Sequence, residues 1–243
     1  MASTSETGHA KNVATFEDLI SFCTGYGVTY NPSKVALKLP GLTTQLTAAN
    51  AALQAVKTAK TTFDNATNAR EISFKPLKSL ATKVVSALAA TEATPQVVAD
   101  VKSINNKIQG KRAKAIEKPA EGDPAPKTVS VSQQSFDKLI DHFAQMIATL
   151  TAEPKYLPNE NELKLLALNA VLTDLKAKNT AVITSTTGAS NARIARDKAL
   201  YDDITGLVDT AKAVKLYVKS LFGATSPQYK QVSSLKFKNR PAD

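Results

Sequence analysis

The sequence predicts an all-α protein built as two tandem, internally duplicated antiparallel helical bundles, about four helices each, two long and two short. Three observations carry this. Apolar residues recur at the three-and-four spacing of one helix face over several long segments. Short blocks of the first half reappear in the second half in the same order. Between the halves lies Ile116-Glu-Lys-Pro119-Ala-Glu-Gly122-Asp-Pro124-Ala-Pro126-Lys, whose prolines and charges cannot continue a helix. The chain accordingly divides into a flexible tail over 1–13, a first repeat over 14–115, a proline-rich linker over 116–130 and a second repeat over 131–243 that ends in a basic tail.

The duplication is read from collinear matches. Leu46-Thr-Ala-Ala-Asn50-Ala51-Ala-Leu53 lies without gaps on Leu165-Leu-Ala-Leu-Asn169-Ala170-Val-Leu172. Upstream, Phe16-Glu-Asp-Leu19-Ile20 matches Phe136-Asp-Lys-Leu139-Ile140. Downstream, Asn68-Ala69-Arg70 recurs as Asn191-Ala192-Arg193, and Thr94-Pro95-Gln96 as Ser226-Pro227-Gln228.

Each repeat is expected to open with a short amphipathic helix, over 15–24 and over 132–152. A long helix over 42–66 follows in the first repeat, with Leu42, Leu46, Ala49, Leu53, Val56 and Phe63 on one face and Lys60 as its polar interruption. The next stripe, Leu77, Ala81, Val84 and Leu88, starts near Asn68 and stops before Pro95. In the second repeat, Leu165, Leu168, Leu172, Leu175 and Val182 form one stripe, and Tyr201, Ile204, Val208, Ala211, Lys215, Val218 and Phe222 another. Thr184-Ser-Thr-Thr-Gly188-Ala-Ser190 is expected to separate them as a turn with an N-cap. Thr, Val and Asn are frequent in these runs and are middling helix formers, so the helices depend on packing for their stability.

Length and composition support a buried core of small aliphatic side chains, since Ala, Val and Leu dominate and Trp is absent. No apolar run approaches the roughly 20 residues needed to cross a bilayer. A single cysteine, Cys23, cannot form an internal disulfide, and the opening residues lack the charged and apolar regions of a secretory signal; the expected location is the cytoplasm.

Residues able to carry chemistry are sparse. His9 sits in the polar N-terminal stretch, and His142 is expected at a helix surface or boundary rather than as a ligand. No cluster has metal-ligand spacing, so no metal, cofactor or small-molecule substrate is implied. Cys23 has no predictable base and reads as a buried small hydrophobe. No catalytic residue is assigned. The Asn-Ala-Arg triplets have an expected structural role: Asn68 and Asn191 cap the second long helix of each repeat, and Arg70 and Arg193 reach a carbonyl or carboxylate within the bundle.

Lys and Arg exceed Asp and Glu to give a formal net charge of +10, and the excess is not uniform. Lys107, Lys111 and Arg112 crowd the end of the first repeat; Lys212, Lys215, Lys219, Lys236, Lys238 and Arg240 crowd the end of the second. These nine are the candidate anion- or partner-binding residues. The expected function is that of a non-enzymatic structural or interaction protein that self-assembles through its duplicated bundles or binds another protein. The Lys-rich tail from Ser233 to Asp243 would serve as an arm docking on a neighbour. The alternative is a sequence-independent nucleic-acid-binding or architectural protein, whose contacts would be backbone-directed and salt-sensitive.

Overall fold

The computed structural model describes residues 8–111 and 134–239, so the expected linker over 116–130 lies outside the described residues. Among the described residues there are eight α-helices and no strand: α1 (His9–Gly25), α2 (Leu39–Phe74), α3 (Leu77–Ala89), α4 (Pro95–Gln109), α5 (Phe136–Thr151), α6 (Leu165–Tyr201), α7 (Leu207–Phe222) and α8 (Pro227–Ser234). The all-helical class is therefore as the apolar periodicity requires. None of these helices is long and apolar enough to cross a membrane.

Local chemistry sets several boundaries. Thr94 caps α4 by accepting from the Val97 amide, Ser135 caps α5 through Lys138, and Ser226 caps α8 through Tyr229. Pro95 and Pro227 follow two of these caps, at the position where a missing N–H costs nothing. Gly110, at φ 77°, closes α4 in the left-handed conformation that glycine adopts without strain.

Other boundaries differ from the sequence-based expectation. Helix α1 begins at His9, so residues 9–13, expected in a flexible tail, are helical, with Asn12 and Val13 buried. Helix α2 does not end near 66 but runs through Asn68–Arg70 to Phe74; it stops before Pro76, whose ring disfavours the helical conformation of the preceding residue. Thr184–Ser190, expected to be a turn, is uninterrupted α6. The physical reason is a buried stripe that continues through the segment as Val182, Ser185 and Ala189. Burial along that stripe outweighs the cost of about 1 kcal/mol for Gly188 in a helix interior. Polar side chains are also accommodated by bonding back one turn, as Thr43, Thr44, Thr47, Thr61 and Thr62 do to the carbonyls four residues earlier.

The real break before α7 lies at 202–206. Ile204, expected on a helix face, sits in this turn at φ 79° and is 76% exposed. Asp209 holds the turn by accepting from the Ile204 amide at 3.1 Å, and the Thr205 hydroxyl donates to Asp202.

The residues group into two compact units, and each unit draws on both halves of the sequence. One comprises residues up to Phe63 together with those from Ser185 onward; the other runs from Asp64 to Thr184. The division falls inside α2 and inside α6. The first unit has a core from α1, α2, α6 and α7, with Phe16, Leu19, Leu42, Leu200, Val214 and Val218 fully or almost fully buried. The second is built around Leu77, Leu88, Ile108, Phe143, Met146 and Leu168 from α3, α4, α5 and α6. Within the second unit α2 and α6 run antiparallel: Arg70 bonds Asn179, while the later Ser73 bonds the earlier Asp174.

Candidate interaction surface

Helix α7 buries Leu207, Val208, Ala211, Val214 and Val218, a spacing that places Lys212 and Lys219 off the core face and Lys215, half-buried, at its edge. All three ammonium groups have partners. Lys212 donates to Asp209 at 2.6 Å, and this bond, with the Ile204 amide, holds the Asp209 carboxyl below its ordinary range. Lys219 lies 5.8 Å from the ring centroid of Tyr229 on α8. Lys215 donates to the Leu235 carbonyl and sits 5.1 Å from the Phe237 ring; its burial pulls its pKa down.

Leu235 to Asn239 form an extended segment that returns over α7 and α1. Its side chains alternate as an extended chain requires: Leu235 and Phe237 pack against the unit's core, while Lys236 and Lys238 are exposed. The backbone is gripped at two places. Lys215 takes the Leu235 carbonyl, and the side-chain amide of Asn12, buried on α1, clamps Lys238 from both sides. Asn12 Nδ2 donates to the Lys238 carbonyl at 2.8 Å, and the Lys238 N–H donates to Asn12 Oδ1 at 3.0 Å. Asn12 Nδ2 also reaches Tyr201 Oη at 3.3 Å, and Tyr201 Oη is 2.8 Å from His9 Nδ1. His9, expected to lie in an unstructured stretch, is thus tied to the end of α6. Beside this cluster Arg196 pairs with Asp197 at 2.7 Å.

The remaining candidates separate. Lys107 and Lys111 are exposed in the other compact unit, where the Lys107 carbonyl accepts from Gln134 at 2.7 Å. Arg112 and Arg240 lie outside the described residues. The lysines brought together in one place are Lys212, Lys215, Lys219, Lys236 and Lys238.

The Asn-Ala-Arg triplets do not cap anything, because both lie inside helices; Asn68, Asn191 and Arg193 are exposed. Arg70 alone has the packed role anticipated for the pair. Its guanidinium lies 3.9 Å over the Phe136 ring and donates to Asn179 Oδ1 at 3.1 Å; Asn179 in turn donates to Asp137 at 2.7 Å. His142 is buried on α5, not at the surface, with Nε2 lacking a hydrogen-bond partner among the described residues. Cys23 is fully buried, and desolvation pushes its thiol pKa up to about 11. No group of three potential metal ligands occurs among the described residues.

Asn12 and the Leu235–Phe237 alternation were not singled out by sequence reasoning, and Tyr201 was read only as a member of an apolar stripe. A signal existed: Asn12 falls on the same face as Phe16, Leu19 and Cys23, and a polar amide on a core stripe is there to satisfy some other polar group. No protein-family model, curated protein or solved structure matches the chain.

Proposed function

We propose that the chain is a non-enzymatic interaction protein, built from two diverged copies of one helical unit in tandem, that self-associates. The observation that carries this is the agreement of buried positions between the halves. Val13, Phe16, Leu19 and Cys23 on α1 are matched, at one constant spacing along the chain, by Ile140, Phe143, Met146 and Leu150 on α5. Leu77, Ala81, Val84 and Leu88 on α3 are matched in the same way by Leu207, Ala211, Val214 and Val218 on α7. Between them, Tyr30 donates to the Leu37 carbonyl at 2.7 Å and Tyr156 to the Leu163 carbonyl at 2.9 Å.

This register differs from the one suggested by residue identity, since Phe16 pairs with Phe143 rather than Phe136, two helical turns away. On this reading each compact unit joins the first part of one copy to the second part of the other. Surfaces that already complement each other between copies in one chain are complementary between chains as well, the condition for exchange-type association. Solution mass by light scattering at near-physiological salt tests it. A defined multimer free of nucleic acid is the expected result, and a strict monomer of 25.8 kDa at all concentrations overturns it.

The nucleic-acid alternative draws on the exposure of Lys107, Lys111, Lys236 and Lys238. Its weight does not rest on Lys212, Lys215 and Lys219, whose charges are already engaged within the fold. Affinity for a random duplex that falls steeply with salt, and that drops when the four exposed lysines are neutralised, would favour it over self-association.

A further inference from the structure

We infer that the track formed by Asn12, Tyr201, Lys215 and the neighbouring core is a receptor for an extended peptide, and that its partner in assembly is the C-terminal segment of a second copy of this chain. The inference rests on the self-association reading above and gives that reading a site.

The argument starts from how Leu235–Asn239 is held. A terminal segment that only covers a core needs apolar contacts. This one is gripped through its backbone as well: an ammonium on the Leu235 carbonyl and a two-way amide clamp on Lys238. Backbone bonds combined with seats for alternate side chains form a recurring mode of extended-peptide recognition. The clamp is moreover specific to this unit. In the burial-matched register Leu139 stands where Asn12 stands, and Val85 where Lys215 stands. The two groups that bond the backbone of the segment are polar departures from apolar positions of the same helical plan. Asn12 is buried, and its amide would be unsatisfied without a peptide backbone beside it apart from its bond to Tyr201.

In the structure the segment occupies the track of its own chain. That intramolecular arrangement is favoured by effective concentration, so a second copy competes when the local supply of tails is high or the chain's own tail is weakened. The exchange closes as a two-fold dimer where each chain's tail enters the other's track, and runs on into a ring or filament where the tails pass head-to-tail.

Complementation between two full-length variants tests this. Leu235→Ser/Phe237→Ser leaves the track intact and disables the tail; Asn12→Leu disables the clamp and keeps the tail. Mixed, they are expected to form a one-to-one complex by light scattering that neither forms alone. A labelled peptide spanning residues 233–243 is expected to bind the Leu235→Ser/Phe237→Ser chain, and adding Asn12→Leu to that chain weakens the binding at least about tenfold, as loss of two backbone bonds implies. Thermal melts establish that each variant is folded, and Lys215→Met replaces Asn12→Leu where the latter does not fold. Folded variants that neither complement nor bind the peptide overturn the inference. If the unsubstituted chain is nevertheless a multimer, the tail exchange falls and the assembly reading stands. If the variants complement while the unsubstituted chain stays monomeric, the receptor stands and the assembly reading for the unmodified chain falls.

Discussion

Tyr30 donates its phenolic proton to the carbonyl oxygen of Leu37, 2.7 Å away, and both residues are buried. The bond closes the loop between α1 and α2 by satisfying a carbonyl in the short 3-10 turn Val35–Leu37, where regular helix bonding is unavailable. Tyr30 also stands edge-on to Tyr217 of α7, with ring centroids 5.4 Å apart, so the loop is anchored to the core at the same point. Tyr30→Phe keeps the ring and strands the carbonyl. The expected loss is about 1–2 kcal/mol of unfolding free energy by urea titration. Tyr156→Phe, which strands the Leu163 carbonyl, is expected to lose a similar amount, and an unchanged midpoint in either case would show that water replaces the hydroxyl.

Arg70 is held on two sides, by the Phe136 face and by Asn179, whose own side chain is fixed by donating to Asp137. Lysine cannot reproduce the planar stacking or the fixed donor geometry of the guanidinium. Arg70→Lys is therefore expected to destabilise the chain by about 1–2 kcal/mol, whereas Arg193→Lys, at an exposed position of the recurring triplet, changes stability by less than about 0.5 kcal/mol. Equal effects at the two positions would refute the assignment of different roles.

How much of this was legible in the sequence depends on which force decided each element. The stripe Leu77, Ala81, Val84 and Leu88 could be read because burial and amphipathic period coincide there, as could Val208, Ala211 and Val218 of α7; the starts of both helices, at Leu77 rather than near Asn68 and at Leu207 rather than before Tyr201, could not. The Thr94-Pro95 and Ser226-Pro227 steps were read as recurring blocks, and the cap each one forms is a local signal. The length of α6 was not legible. Thr184–Ser190 carries every local mark of a turn, and only the tertiary burial of Val182, Ser185 and Ala189 keeps it helical. Nor could the grouping of residues into units be read, because it depends on which segments meet in space and short blocks of identity do not encode that. At the candidate surface, the cluster of lysines at the chain's end was visible, but the groups that organise it were not. Asn12 and Lys238 lie at opposite ends of the sequence, and nothing in either neighbourhood announces the other.

Gly206 precedes α7 with an ordinary φ of −66°, so its identity is not required by backbone conformation. Space requires it. A Cβ placed there would stand 2.5 Å from the Asp202 carbonyl oxygen and 2.6 Å from the Asp202 nitrogen, both backbone atoms that cannot swing aside. Gly206→Ala must displace the turn that links α6 to α7, at an expected cost of about 1–3 kcal/mol. Because Gln45 Nε2 donates to the Thr205 carbonyl at 2.7 Å, amide exchange should accelerate at the start of α7 in this variant. Unchanged stability would mean that the turn relaxes without cost.

Cys23 packs among the core residues of α1 as a small apolar group, and its thiol is pushed up to about 11 by burial, offset in part by Tyr30. Thiolate is the species that reacts with disulfide reagents. At pH 8 the native chain is expected to react more slowly than the urea-unfolded chain by at least about a hundredfold, with modification limited by opening of the fold. Prompt labelling of the native chain would contradict the burial of this side chain.

The buried His142 gives the second compact unit a defined response to acid. Desolvation and, after it, the positive charge of Lys107 lower its pKa from the ordinary 6.5; Lys138 acts in the same sense, and Asp141 opposes them. In the folded chain the imidazole is therefore neutral at a pH where the unfolded chain already takes up a proton. Because the unfolded state binds more protons between the two pKa values, stability rises with pH across that window. The contribution is complete above about pH 6.5 and declines as the pH falls from there toward the lower folded-state value. Nε2, which has no hydrogen-bond partner among the described residues, is consistent with this sense. Unfolding free energies measured at half-unit steps from pH 8 to 5 should fall below pH 6.5, and the difference between the parent chain and His142→Leu isolates this group from His9 and the carboxylates. That difference should shift in favour of the leucine variant as the pH drops; a difference independent of pH would mean that His142 titrates alike in both states.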